Sequence, residues 1–177
     1  MIKRKKIIVL VSVLFFICIS YILLQFNTAN NIKESCFESS LNKVLKKGDS
    51  LKLDKIYNFS KIFNCKNWNE VIIVGGSNAS SVAIFLKEGI ALPKINYSKR
   101  LKGSLLFYFI KDGKLISQPI SLWQPGFLYF KDFNNFDYIN LKKKDAIFKC
   151  VELETIGSEK MMLTFELTGN GTEYSLF

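Results

Sequence analysis

Four cysteines are the residues of this 177-residue chain best suited to covalent chemistry, and no histidine stands with them. A thiol or hydroxyl nucleophile needs a base to take its proton. Without imidazole, Cys-His and Ser-His-Asp mechanisms are excluded. Zinc and non-haem iron sites built on imidazole go with them. Cys18 lies inside an apolar N-terminal run and reads as a small apolar residue. Cys36, Cys65 and Cys150 follow that run, in a compartment where disulfides persist. Three cysteines allow three single pairings, and sequence alone leaves the choice open. Cys36 falls on an expected helix and Cys65 just before an expected strand, so they are the preferred pair. Cys65 with Cys150 is the alternative, although Cys150 sits in a strongly apolar strand that also suits a buried free thiol. A bond closing the Cys36–Cys65 loop would contribute roughly 3 kcal/mol by restricting the unfolded chain.

Other chemistry-bearing patterns are less specific. Val71-Ile-Ile-Val-Gly-Gly-Ser-Asn-Ala-Ser-Ser81 reads as a strand, a Gly-rich turn and a short helix, a geometry whose backbone N–H groups can cradle phosphate. It matches neither dinucleotide nor P-loop spacing. A tight turn with Ser77 or Asn78 capping a helix is the simpler reading. Ser60-Lys61 and Ser98-Lys99 are sequence neighbours in a lysine-rich chain, weak grounds for Ser-Lys catalysis. Glu152 and Glu154 share one strand face, more simply the solvent side than a hydrolytic acid pair. Lys142-Lys143-Lys144 near Phe136 and Tyr138 offers polyanion chemistry, but a charged, aggregation-blocking edge suits it better, and nucleic acid is not expected. Phe127, Tyr129, Phe130, Phe133, Phe136 and Tyr138 form the densest aromatic stretch. Exposed, they would anchor a protein interface; buried, they are core. No catalytic, cofactor-binding or metal-binding motif emerges, and a non-enzymatic protein without cofactor is expected.

The N-terminus decides where these groups work. Lys3, Arg4, Lys5 and Lys6 precede an uncharged run from Ile7 to Leu24, and the next charged residue is Lys33. As a helix, 18 residues reach about 27 Å, close to the ~30 Å hydrocarbon core of a bilayer. The basic cluster holds the start on the cytoplasmic side. Asn27-Thr28-Ala29 is a poor cleavage site, because Asn27 is not small and apolar, and Phe15-Phe16-Ile17 before Cys18 lacks the small residue of a lipoprotein site. We therefore expect a signal anchor over 1–26, a polar connector over 27–33 and one extracytoplasmic domain over 34–177. Four of the 25 basic residues lie in the anchor and all 15 acidic ones follow it, which leaves the outer domain at +6 (21 basic against 15 acidic). Such a surface favours acidic partners or is simply solvated.

Within the domain, Cys36, Phe37, Leu41, Val44 and Leu45 recur at helical spacing. Ser35 and Glu38 have capping-box spacing, with Asn31 and Glu34 as a rival start, and Gly48 follows Lys46 and Lys47 as a stop. This predicts a helix over 34–47. Residues 51–64 are mixed. Val71–Val74 reads as a short buried strand, 80–87 as a short helix and Leu105–Ile110 as a central strand. Asp112-Gly113 signals a hairpin, and Pro119 marks the returning strand, Leu115–Ile120, as an edge. Further strands are expected at Phe127–Phe130, Ala146–Leu153 and Met161–Leu167. The pattern predicts an α+β fold, a mainly antiparallel sheet with the 34–47 helix on one face.

Cys65-Lys-Asn-Trp68-Asn-Glu-Val71-Ile-Ile-Val, and later Leu106-Phe-Tyr-Phe-Ile-Lys-Asp-Gly-Lys114-Leu115, resemble small bacterial membrane-anchored extracytoplasmic proteins, with a Cys and a Trp before a strand and a later K-D-G-K hairpin. The resemblance spans about residues 34–167, as a sequence reading, and departs from the lipoproteins among them in lacking their cysteine. The plan, one anchor and a small outer domain, is similar to that of periplasmic immunity proteins against toxins or bacteriocins. It implies a toxin or an envelope component as partner. A subunit of an envelope or secretion assembly is the alternative, and a carboxylate-dependent wall hydrolase ranks below both.

Overall fold

Strand β2 organises the domain, and its sequence explains why. The computed structural model describes residues 2–44, 52–75, 80–93, 105–122, 129–130, 138–153 and 162–168. In chain order these form α1 (Ile2–Asn30), α2 (Cys36–Val44), β1 (Ile56–Asn58), α3 (Phe59–Ile62), β2 (Glu70–Val74), α4 (Ser81–Glu88) and β3 (Leu105–Lys111). There follow β4 (Lys114–Leu115), β5 (Ile120–Leu122), β6 (Tyr129–Phe130), β7 (Tyr138–Lys142), β8 (Ile147–Leu153) and β9 (Met162–Leu167). Every residue from Val71 to Val74 is buried, so β2 is covered on both faces, as an unbroken apolar run requires.

β2 lies between β3 and β7, antiparallel to both, with Val71 opposite Phe109 and Leu141 and Ile73 opposite Phe107 and Ile139. β4 and β5 both pair with the outer side of β3, completing a five-stranded sheet. The returning strand expected over 115–120 is thus two short pieces, interrupted where Pro119 has no N–H to donate. A second sheet has the order β1-β8-β9-β6, antiparallel except for the parallel β6–β9 pair. The fold is α+β and mainly antiparallel, built on two sheets where one was expected.

The two sheets share a core. Val71, Ile73, Phe107 and Phe109 meet Tyr57, Phe148 and Cys150 of the second sheet, with the rings of α2 and α3 between them. Phe37 of α2 stacks on Phe109 at 4.1 Å, and Phe59 lies 4.5 Å from Phe148 and 5.8 Å from Phe107. Trp68 is buried and donates its indole N–H to the Phe63 carbonyl at 2.6 Å. Aromatic pairs at these separations add about 0.5–1.5 kcal/mol each beyond the area they bury.

The opposite face of the five-stranded sheet carries Ile72, Val74, Tyr108 and Ile110. It is covered by Ile84 of α4, by Ile90-Ala91-Leu92 and by Ala29 near the end of α1. Here the observed chain departs from the expected connector over 27–33, since α1 continues to Asn30. The segment lacks Gly and Pro, and its polar side chains fold back on the helix. Thr28 donates to the Leu24 carbonyl at 2.8 Å, Asn30 to that of Phe26 at 2.9 Å and Asn31 to that of Asn27 at 2.9 Å.

Local capping follows the side chains within reach. The Glu34 carboxylate accepts from the N–H groups of Ser35 and Cys36 at 3.1 Å each, while the Glu38 N–H donates to the Ser35 carbonyl. Glu34 therefore caps α2, in place of a Ser35–Glu38 box; residues 45–47 of the expected helix lie outside the described residues. α4 is capped by Ser80, whose hydroxyl accepts from the Ala83 N–H at 3.0 Å. This corrects the expected cap at Ser77 or Asn78, which lie outside the described residues. Asp112 and Gly113 have φ of 50° and 72°, as a tight primed turn demands. Asn69 clasps that turn: its side chain accepts from the Asp112 N–H and donates to the Asp112 carboxylate, both at 3.1 Å.

Candidate functional site

The feature with the clearest functional content is the junction of α1 with the domain. The stretch Ile7–Asn30 is long and apolar enough to cross a membrane, and its 18-residue apolar core is unburied by the rest of the protein. Two residues after Leu24 the same helix begins to enter the fold. The Phe26 ring meets Phe85 of α4 at 5.2 Å, Ala29 is buried, and Ile32 packs beside it. Between helix and sheet lies a small cavity of about 90 Å³, lined by Gln25, Thr28, Ala29, Ile32, Ala91, Gly113, Lys114 and Leu115. The β3–β4 hairpin tip therefore stands beside the point where α1 leaves its apolar stretch.

A second fixed point is the Cys36–Cys65 disulfide, with a Cα–Cα distance of 6.2 Å. It ties the start of α2 to the loop before β2. Cys150 is a buried free thiol in β8, and Cys18 is free and exposed on α1. The alternative Cys65–Cys150 pairing is thereby set aside. Burial pushes the Cys150 thiol up from its ordinary value. Beside the disulfide, Lys66 pairs with Glu34 at 3.0 Å, and this hydrogen bond, then the Cys36 N–H, hold the Glu34 carboxyl below its usual range. Lys149 is raised by its hydrogen bond to Asp54, 2.7 Å away. Both pairs sit at the surface, where ion pairs of this kind contribute only modestly to stability.

Carboxylates converge in one place that the sequence did not reveal. Glu70 of β2 and Glu88 of α4 flank Asn140 of β7 on the helix-covered face. Glu88 accepts from the Tyr138 hydroxyl and from the Asn140 amide, both at 2.8 Å. Glu70 accepts from the same amide at 3.3 Å and pairs with Lys142 at 2.9 Å. All four carboxylate oxygens are thus engaged within the protein, and the group clamps α4 to the edge of the sheet. Among the described residues, Asn140 Oδ1 is buried without a hydrogen-bond partner. Turning the amide over would aim that oxygen at two carboxylates, so the orientation follows from charge.

The sequence-predicted sites are placed as follows. In the aromatic stretch, Phe127, Phe133 and Phe136 lie outside the described residues. Tyr129 and Phe130 form β6 in the four-stranded sheet, whereas Tyr138 opens β7 in the other sheet, half-buried against Glu88. Of the lysine run, Lys142 pairs with Glu70, Lys143 lies 5.3 Å over the Trp68 ring and Lys144 is exposed. Glu152 lies on β8 and Glu154 outside the described residues. Ser60 donates to Asn58 in the cap of α3, beside exposed Lys61, and Ser98-Lys99 lies outside the described residues. Sequence reading passed over Ser40 and Lys43, which have S-x-x-K spacing on α2. The Ser40 hydroxyl is buried and donates to the Cys36 carbonyl at 3.5 Å, while Lys43 is exposed and so is not the desolvated base that Ser-Lys chemistry needs.

No protein family, no curated protein and no solved structure matches this chain.

Proposed function

We propose that the protein is a non-enzymatic binding protein held at a bacterial cytoplasmic membrane by one uncleaved helix, with its N-terminus in the cytoplasm and its domain in the periplasm or outside. One observation carries this reading: an unburied apolar helix continues without a break into the folded core, through Phe26 and Ala29. Cleavage after Ala29 would remove both from that core, so retention of the helix agrees with the packing. The basic residues before Ile7 favour the stated orientation. The Cys36–Cys65 disulfide suits an oxidising compartment. In its sharpest form the reading is an immunity protein, concentrated at the membrane where it neutralises an arriving toxin or bacteriocin. A subunit of an envelope or secretion assembly is the alternative for the same anchored geometry.

The test is cross-linking of the full chain in intact cells, followed by purification from detergent-solubilised membranes and mass spectrometry. A secreted toxin as the dominant partner, with loss of protection when the gene is deleted, supports immunity. Resident envelope proteins support the assembly reading. Protease digestion of the 34–177 domain in cells whose outer surface alone is opened checks the orientation, and full protection of the domain would refute it.

A further inference from the structure

We infer that α4 and the β3–β4 hairpin form a second membrane contact, so that the domain lies on the bilayer surface. The inference rests on reading α1 as a retained membrane span. Val82, Phe85 and Leu86 have the spacing of one helical stripe on α4. Phe85 is half-buried against Phe26, yet Val82 and Leu86 are 58% and 79% exposed. A lone exposed leucine needs no explanation. These two extend an apolar surface that begins on the span itself. Phe26 is two residues past Leu24, or about 3 Å along the helix axis. The headgroup layer is about 5–8 Å deep on each side. A helix about 10–12 Å across, packed against α1 at that level, overlaps the layer.

Charge points the same way. Gly113 and Lys114 line the cavity beside Gln25 and Thr28, which places the exposed Lys114 at the depth of the lipid phosphates. Lys111 is exposed at the same hairpin, and Lys87 is exposed on α4. Apolar side chains flanked by lysines suit an interfacial position on anionic lipid. The occupant of the Val82–Leu86 face is therefore the bilayer interface.

The test is spin-label depth measurement on the full chain in phosphatidylcholine–phosphatidylglycerol vesicles, in a Cys18→Ser background. Single labels are placed at Leu86→Cys, at Lys61→Cys in α3, away from this face, and at Phe16→Cys within the span. A label at Leu86 should be relaxed several-fold more by oxygen than by a water-soluble nickel chelate, and the label at Lys61 the reverse. If Phe16 reads as lipid and Leu86 reads like Lys61, the inference is wrong while the anchor stands. If Phe16 also reads as water, the anchor reading fails and takes the inference with it. Spin–spin broadening at Leu86 would assign the face to a second copy and overturn the proposal.

Discussion

Replacing Cys36 and Cys65 together with serine is expected to cost the protein about 3.6 kcal/mol. The bridge closes a loop of sequence separation 29, and the chain-entropy relation gives about 3.6 kcal/mol for a loop of that length at room temperature. Lost packing adds little, because Cys65 is exposed and Cys36 only half-buried. Native contacts at α2 survive the substitution: Glu34 still accepts from the first N–H groups of the helix, and Phe37 still stacks on Phe109. The loss is thus assigned to the unfolded chain. For a domain of this size it corresponds to a fall in melting temperature of about 7–14 °C. Trp68 is a built-in reporter, buried and hydrogen-bonded to Phe63 inside the bridged loop's neighbourhood. Denaturant and thermal unfolding of the full chain in detergent, followed by tryptophan fluorescence, give the number, and wild-type protein in reductant should match the double variant. A loss within about 0.5 kcal/mol of wild type, the range of ordinary surface changes, would refute the reasoning. So would an equal loss from Cys150→Ala with no effect from Cys36→Ser, since that pattern belongs to a Cys65–Cys150 bridge.

Four further outcomes are expected. Phe109→Ala removes the ring that meets Phe37 at 4.1 Å, Phe63 at 4.8 Å and Trp68 at 5.2 Å, and should cost about 3–5 kcal/mol in denaturant unfolding. Gly113→Ala meets no atom of the described residues within 4 Å but keeps φ at +72°, so its cost should be that of the left-handed backbone, about 1–2 kcal/mol. Glu88→Ala removes the acceptor of Tyr138 and Asn140 and should cost about 1.5–3 kcal/mol, with faster amide exchange in α4 than in β3. The pH dependence has two limbs. The lowered Glu34 carboxyl adds stability above 4.5 that is lost as pH falls through its folded value, and Glu34→Gln should flatten that limb. The raised Cys150 thiol keeps its proton above 9.0, so its contribution is lost as pH rises through the folded value, and native protein should resist alkylation there until it unfolds.

Elements with a local cause were legible before the structure. Val71–Val74 and Leu105–Ile110 are apolar on both faces because the five-stranded sheet is covered on both, and periodicity reports burial directly. Asp112-Gly113 also carries its reason within itself, whereas Cys36–Cys65 was the preferred pairing among three that sequence alone leaves open. β1 and β7 were missed because neither carries a strand signal alone. In β7 only Ile139 and Leu141 face the shared core. Asn140 between them is compatible with a strand only because Glu70 and Glu88, far away in sequence, meet its amide. The helix-capping residue before α4 was misplaced for a related reason: Ser77, Asn78 and Ser80 are all good caps, and packing of Ile84 and Glu88 on the sheet sets the helix phase.

The junction was the least legible part, and its signal is quantitative, not a motif. An eight-residue helix lying on a sheet needs about one face of apolar side chains. In α4 the buried Ile84 and the half-buried Phe85 supply that face, with Glu88 turned inward to Tyr138 and Asn140. Val82 and Leu86 are therefore surplus to the domain's own core. Likewise, Phe26 follows the apolar run too late to be needed for crossing a bilayer, and the polar residues from Asn27 to Asn31 look like a connector until their side chains return to the helix. Each excess is unremarkable alone. Placed side by side by the Phe26–Phe85 contact, they lie where a spanning helix would pass from hydrocarbon to water, and apolar surface surplus to a core is stable there.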